Sequence, residues 1–242
     1  PFVAGGIPGS IPFVEHLTLW VGFIGACVAA RSGKLIALST ATFIPEGIFR
    51  TGARTFSATV GAMVSALLAW AALDFVADEM EFGGEIALGI PQWVFQLVLP
   101  AAFGCIAWRL AWGAGSLWPR VVSMLGLIAG IWFAHSWEFF DGTAGWPWVV
   151  LLVLAAIAGA PIFSVLAGAA AFLWMVEAFD PANVPLFAYE LATEPHLPSI
   201  PLFTLTGFIL AQGNSSERLL RVFRAVTGWM PGGTAVVCAV VC

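Results

Sequence analysis

His135, Glu138 and Asp141 stand at i, i+3 and i+6 in "HSWEFFDG", and a histidine with two carboxylates at helical spacing is a donor set that could bind a divalent cation. That spacing admits a metal-dependent membrane enzyme or factor. The plainer reading is a solvated helix end, because Gly142 follows and the three residues close an apolar run. A second cluster lies in "GNSSERLLRVFRAVTGWMPGG", where Arg218, Arg221 and Arg224 supply three of only nine basic residues and alternate with Leu, Val, Phe and Trp. Guanidinium groups so spaced can reach lipid phosphates or water while the apolar positions face a membrane. Glu15 and His16 open an apolar run, where ionisable groups are functional suspects. Their nearness to Pro12 and the outer edge favours water contact and an anchoring role over a proton relay. Asp180, before Pro181, and Glu190 read as loop residues. The sequence contains no Ser/His/Asp or Cys/His arrangement, no P-loop and no GxGxxG, so neither a hydrolase nor a nucleoside triphosphatase is indicated.

The elements that must carry these residues follow from composition. Hydrophobic residues make up 60%, charged residues 10%, and mean hydropathy is +0.96, against roughly 25% charged residues in soluble domains. The fold class is therefore all-α, a polytopic integral membrane helical bundle. Twelve Trp residues suit interfacial anchoring. A net charge of -5 without a basic run excludes nucleic acid as partner. Cys27, Cys105, Cys238 and Cys242 lie in apolar runs without CxxC spacing and read as buried free thiols, with no metal site. The start at Pro1, with turn-rich "GGIPGSIP" and no charged leader, and the end inside "TAVVCAVVC" suggest a piece of a longer protein.

A spanning helix needs about 20 mostly apolar residues. Four segments qualify: Ile11 to Ala30, Thr55 to Ala77, Pro91 to Trp112 and Val121 to Trp137. Basic residues then orient them. Arg31, Lys34, Arg50 and Arg54 occupy the first loop, and Arg109 and Arg120 bracket the third. The second loop holds Asp74, Asp78, Glu79, Glu81 and Glu85, and the fourth Glu138 and Asp141, with no Lys or Arg in either. The first and third loops are therefore cytoplasmic, the second and fourth external. Trp146 to Val176 would make a helix of about 46 Å, too long for one untilted span. Pro161 in "IAGAPIF" predicts a break and a short-legged hairpin, since it cannot supply a helical N–H. Glu177 to Ser199, acidic and without Lys or Arg, returns to the outside, and Ile200 to Ala211 crosses back. Asn214 as N-cap with Glu217 at N3 predicts a helix that Pro231, Gly232 and Gly233 end. Its basic and Trp flanks place it flat on the cytoplasmic interface.

"IPLFTLTGFILAQGNSSERLLRVFRAVTGWMPGG" resembles the signature near the start of the large membrane subunit of the tripartite ATP-independent periplasmic (TRAP) transporters, through Pro201, Leu202, Phe203, Gly207, Ser216, Arg218, Leu219 and the Gly228 to Gly233 turn. "GAPIF" at 159–163 resembles that subunit's first Gly-x-Pro-Ile block. "EHLTLWVGFIGACVAARSGKLIAL" and "GIPQWVFQLVLPAAFGCIAWRL" are similar to helices of the small membrane subunit. The resemblance implies a fused permease. Residues 1–112 would form a small-subunit-like domain lacking its first helix, 113–137 a connecting transmembrane helix, and 138–242 the N-terminal part of the large subunit, cut in its first helical hairpin. A connecting span is also what the topology demands, because the first part ends inside and the second begins outside.

The resemblance further implies an elevator-type secondary transporter of the bacterial inner membrane, not an enzyme. It would import an organic acid such as a dicarboxylate or sialic acid, with sodium as coupling ion, no other cofactor, and a periplasmic binding protein as partner. Asn214 to Met230, with Arg218, Arg221, Arg224 and Trp229, would be an amphipathic arm helix at the membrane lipid, and Gly232 and Gly233 its hinge. The substrate and sodium sites would lie beyond Cys242. The alternative from another class is the metal-dependent membrane enzyme or factor built on His135, Glu138 and Asp141.

The assigned sidedness can be measured by single-cysteine labelling in sealed right-side-out vesicles. Cysteines at Lys34 and Ser216 should resist an impermeant reagent, and those at Glu81 and Asp141 should react. Labelling at Ser216 from outside would rule out a cytoplasmic arm helix.

Overall fold

The computed structural model describes residues 10–38, 45–87, 89–194, 196, 199–213, 218, 221–222 and 225. The chain forms two compact units, 1–194 and 195–242. In the first, α1 (Ser10–Arg31), α2 (Ile48–Phe82), α4 (Val98–Trp112) and α5 (Leu117–His135) are the long apolar helices. Between α2 and α4 come a small antiparallel hairpin, β1 (Glu85–Ala87) with β2 (Ile90–Pro91), and the short α3 (Gln92–Gln96). A 3-10 turn at Trp137–Phe140 leads to α6 (Trp146–Ile157), α7 (Ile162–Val176) and α8 (Asn183–Ala192).

The central element is α2, whose 35 residues extend about 52 Å. It is longer than the segment Thr55 to Ala77 expected from hydropathy, because charged Arg50, Arg54, Asp78 and Glu79 continue the helix outside the apolar stretch. Its middle, from Val60 to Val76, is the most buried stretch of the bundle.

α5 lies against α2 along a stripe of buried small residues, Ser123, Gly126, Gly130 and Ala134. Gly126 and Gly130 form a G-x-x-x-G pair, a spacing that lets two backbones approach inside a membrane. A β-carbon at Gly130 would stand 2.0 Å from the Met63 carbonyl oxygen, and one at Gly126 would stand 2.7 Å from that of Thr59. The Thr59 and Ser123 hydroxyls meet across the same seam at 3.3 Å. The opposite face of α5 carries exposed Val121, Leu125, Ile128 and Trp132, as does α1 with Val14, Leu17, Val21 and Ile24, which are surfaces suited to lipid.

The span expected from Pro91 to Trp112 is interrupted at Leu97, between α3 and α4. Pro100 has no N–H to offer the Gln96 carbonyl, so the helical ladder breaks there and restarts with Pro100 in the first turn, where it is tolerated. The hairpin expected around Pro161 is present. α6 ends in a Schellman motif: Ala160 N–H reaches the Ala155 carbonyl at 2.8 Å, Gly159 N–H reaches Ala156 at 3.0 Å, and Gly159 takes φ 95°. The first amide of α7, Ile162 N–H, is satisfied by the Ile36 carbonyl at 2.9 Å, in the loop after α1. Glu177 to Ser199 is not all loop, since it contains α8, and Glu190 is a helical residue. Asp180 remains in a turn, its carboxylate accepting from Ala182 N–H at 2.7 Å.

In the second unit, α9 (Ser199–Gln212) is an apolar helix. Its Thr204 and Thr206 hydroxyls return to the Ile200 and Leu202 carbonyls at 2.9 and 2.8 Å, so neither needs water.

Gly130→Val should strain the α2–α5 seam, since the clash is with backbone and cannot be relieved by a rotamer. A loss of about 2 kcal/mol or more is expected, read as a lowered melting temperature of the purified protein. Gly104→Ala, where nothing lies within 4 Å of the new carbon, should be silent.

Candidate functional site

Charge is segregated between the two ends of the first unit. Arg31, Lys34, Arg50, Arg54, Arg109 and Arg120 gather where α1 and α4 finish and α2 and α5 begin. Among the described residues the sole carboxylate of that end is Glu46, and Arg50 holds it at 2.7 Å. Arg120 stacks its guanidinium over Trp112 at 5.1 Å, and Trp112 stacks on Trp108 at 5.5 Å. The other end carries Asp78, Glu79, Glu81, Glu85, Glu138, Asp141, Glu177, Asp180, Glu190 and Glu194 and, among the described residues, no Lys or Arg. This is the distribution of a membrane protein whose basic end is cytoplasmic.

At the acidic end His16 and Tyr189 join α1 to α8. Sequence reasoning gave His16 contact with water, but it is only 5% exposed. Its Nδ1 lies 2.6 Å from the Pro12 carbonyl, which can only accept, so Nδ1 carries the proton. Nε2 is then free to accept from the Tyr189 hydroxyl, also at 2.6 Å. Burial pushes the Tyr189 phenol up to about 12, so it remains a donor at neutral pH. Phe95 and Phe75 cover the pair, and Trp20 Nε1 donates to the Phe95 carbonyl at 2.9 Å. The role of His16 is therefore structural, through a satisfied buried hydrogen bond. This reading was open to sequence only through position, since the partner lies 173 residues away.

The α6–α7 hairpin packs on α2 through Gly168, whose added β-carbon would meet Val64 at 2.8 Å and Leu152 at 3.0 Å. Trp148 and Phe172 stack at 4.7 Å with ring planes 8° apart, and Phe133 and Phe140 pack edge-on against Trp148. The aromatic cluster thus joins α5, the 3-10 turn, α6 and α7.

His135, Glu138 and Asp141 do not form a metal site. All three are exposed, His135 sets its ring edge-on to Trp70 at 6.0 Å, and among the described residues no three His, Cys, Asp or Glu side chains converge to hold an ion. The helix ends at His135, so the i, i+3, i+6 register that would align them is lost. Cys27 is half-buried, with its thiol 3.6 Å from the Ala102 carbonyl, whereas Cys105 is exposed, contrary to the buried thiols expected. Cys238 and Cys242 lie outside the described residues.

Pro201, Phe203 and Gly207 fall on α9. Arg218 and Arg221 are helical and exposed, as are Val222 and Ala225. Ser216, Arg224, Trp229, Gly232 and Gly233 lie outside the described residues. What sequence reasoning missed is the Gly126/Gly130 seam, for which the G-x-x-x-G spacing inside an apolar run was the available signal.

Two family models match the chain. One, "Tripartite ATP-independent periplasmic transporters, DctQ component", matches residues 2–120; the other, "Tripartite ATP-independent periplasmic transporter, DctM component", matches residues 148–242. No curated protein and no solved structure matches it.

Tyr189→Phe should leave His16 Nε2 buried without a partner and lower stability by about 1–3 kcal/mol. Removing both polar groups with His16→Leu should recover part of that loss, which a thermal double-mutant cycle would measure. Additive effects would show that the two side chains do not interact.

Proposed function

The chain belongs to the tripartite ATP-independent periplasmic transporter family, and we propose that it serves as the fused membrane permease of a sodium-driven importer of an organic acid, supplied by a periplasmic binding protein. Membership makes it a multi-pass inner-membrane permease and a transporter, not an enzyme. The observation that carries the finer reading is the order of parts: the DctQ match, then α5, then the DctM match, in one chain. We divide it at 1–112, 113–137 and 138–242. A segment ending on the basic side can feed a segment beginning on the acidic side only through one more crossing. α5 is a 19-residue apolar helix in that position.

Uptake against a gradient without ATP needs another gradient, and sodium is the ion we assign. Dicarboxylates and sialic acids are the substrate classes we favour. Asn214 to Met230 is proposed as an arm helix held at the lipid surface by Arg218, Arg221, Arg224 and Trp229, with Gly232 and Gly233 as the hinge of an elevator motion. The exposed positions of Arg218 and Arg221 support that role. The binding protein would dock on the acidic end, where Asp74 to Glu85 and Glu177 to Glu194 offer a single sign of charge. Such docking steers by long-range attraction and weakens with salt, since screening shortens to roughly 8 Å at physiological ionic strength.

Proteoliposomes holding the complete permease should accumulate a carboxylate only with an inward sodium gradient and the cognate binding protein, and less so as potassium chloride rises. Equal uptake without sodium, or without the binding protein, would refute the assignment.

A further inference from the structure

At the basic end, a pocket of about 260 Å³ opens between α1, α2, α4 and the α6–α7 turn. Arg54 of α2 and Arg109 of α4 line it, with Ser57, Gly113, Gly159 and Pro161 among its other walls. Its far side is closed where Ala37 pairs with Pro161 beside the Ile36–Ile162 hydrogen bond.

The two guanidinium groups are only partly accounted for. Arg54 Nη2 donates to the Gly113 carbonyl at a long 3.3 Å, and Arg109 lies in the last turn of α4, where a cation suits the helix dipole. A helix C-terminus carries only about half a negative charge, so two full positive charges leave a surplus. Among the described residues no carboxylate pairs with either, because Glu46 is taken by Arg50. Arg31 and Lys34 flank the loop that forms one wall and add to the same sign.

The occupant must therefore be an anion, and the surroundings choose its kind. Ile36, Leu38, Trp108 and Trp112 are exposed apolar side chains on the elements that bound the pocket, a surface for acyl chains and not for a soluble ion. The pocket also lies on the cytoplasmic side, the side on which basic pockets between membrane helices meet anionic headgroups. We propose that it binds the phosphate of an anionic phospholipid. Arg54 and Arg109 grip the phosphate oxygens, so that one lipid bridges α2 and α4 beneath the turn joining α6 to α7. Guanidinium is the side chain best matched to phosphate, through its planar fork of donors.

The test is native mass spectrometry of the full chain released from nanodiscs containing equal phosphatidylglycerol and phosphatidylcholine. Wild type should retain one phosphatidylglycerol in preference to phosphatidylcholine by roughly tenfold or more. Arg54→Gln with Arg109→Gln should abolish that preference, and Arg50→Gln, which alters a cation already paired, should keep it. Ala58→Glu, which puts a carboxylate on the pocket wall while keeping both arginines, should abolish it as well and decides the matter if the double variant does not fold. Equal retention of the two lipids by wild type would overturn the proposal. So would undiminished retention in either pocket variant, or displacement of the lipid by millimolar inorganic phosphate, which would mark a site for a free anion.

Discussion

Where Gly130 passes the Met63 carbonyl, α5 and α2 lie backbone against backbone, and the rest of the first unit is arranged around that contact. In a bilayer an apolar side chain gains nothing by leaving lipid for protein. Helices associate through close packing and through hydrogen bonds that lipid cannot offer. Ser123, Gly126, Gly130 and Ala134 provide the first, and the Thr59–Ser123 hydroxyl pair the second. Because α5 comes so close, α2 is enclosed on that side, while α4 packs on it where the Leu110 side chain approaches Gly61. The α6–α7 hairpin covers more of α2, again through a glycine, Gly168.

The second constraint is charge. Six cations gather at one end and an acidic surface lies at the other, while most of α5 runs between the two matched segments. Each end is left with a surplus of one sign. That surplus is not dissipated by ion pairs, since Arg50–Glu46 is the one such pair among the described residues. A surface with unspent charge is suited to partners outside the chain: lipid phosphate on one side, a soluble protein on the other.

What the sequence made legible follows from how local the signal is. Long apolar runs revealed α1, α4 and α5, and Pro161 revealed the hairpin turn, because both depend on a few adjacent residues. The full length of α2 was hidden, since its ends are charged and no longer satisfy a hydropathy criterion although they remain helical. α8 was hidden for the same reason, among acidic residues and Pro185. His16 was misjudged because its burial depends on Tyr189, and its distance from the helix start says nothing about what folds over it. The cation-binding reading of His135, Glu138 and Asp141 required a continuous helix, and the chain changes to a 3-10 turn at Trp137. Of the candidate arm residues, Arg218 and Arg221 are helical and exposed, which is compatible with an interfacial helix without specifying its docking.

The legs of the α6–α7 hairpin, 12 and 15 residues, extend only about 18 and 22 Å, short of a hydrocarbon core of about 30 Å. Backbone groups at the tip would be stranded in lipid unless something met them there. The Schellman bonds satisfy the end of α6 from within, and the loop after α1 supplies the rest, with Ile36 accepting from the first amide of α7. At the other end, Gly142 N–H bonds the Val176 carbonyl at 3.2 Å and Tyr189 holds His16. The opening helices of the DctM-matched segment are thus tied at both ends to those of the DctQ-matched segment, within one compact unit that runs to residue 194. A helix pair held in this way could move along α2 only by breaking the Ile162–Ile36 hydrogen bond and the edge-on contacts of Phe133 on α5 with Trp148 and Phe172.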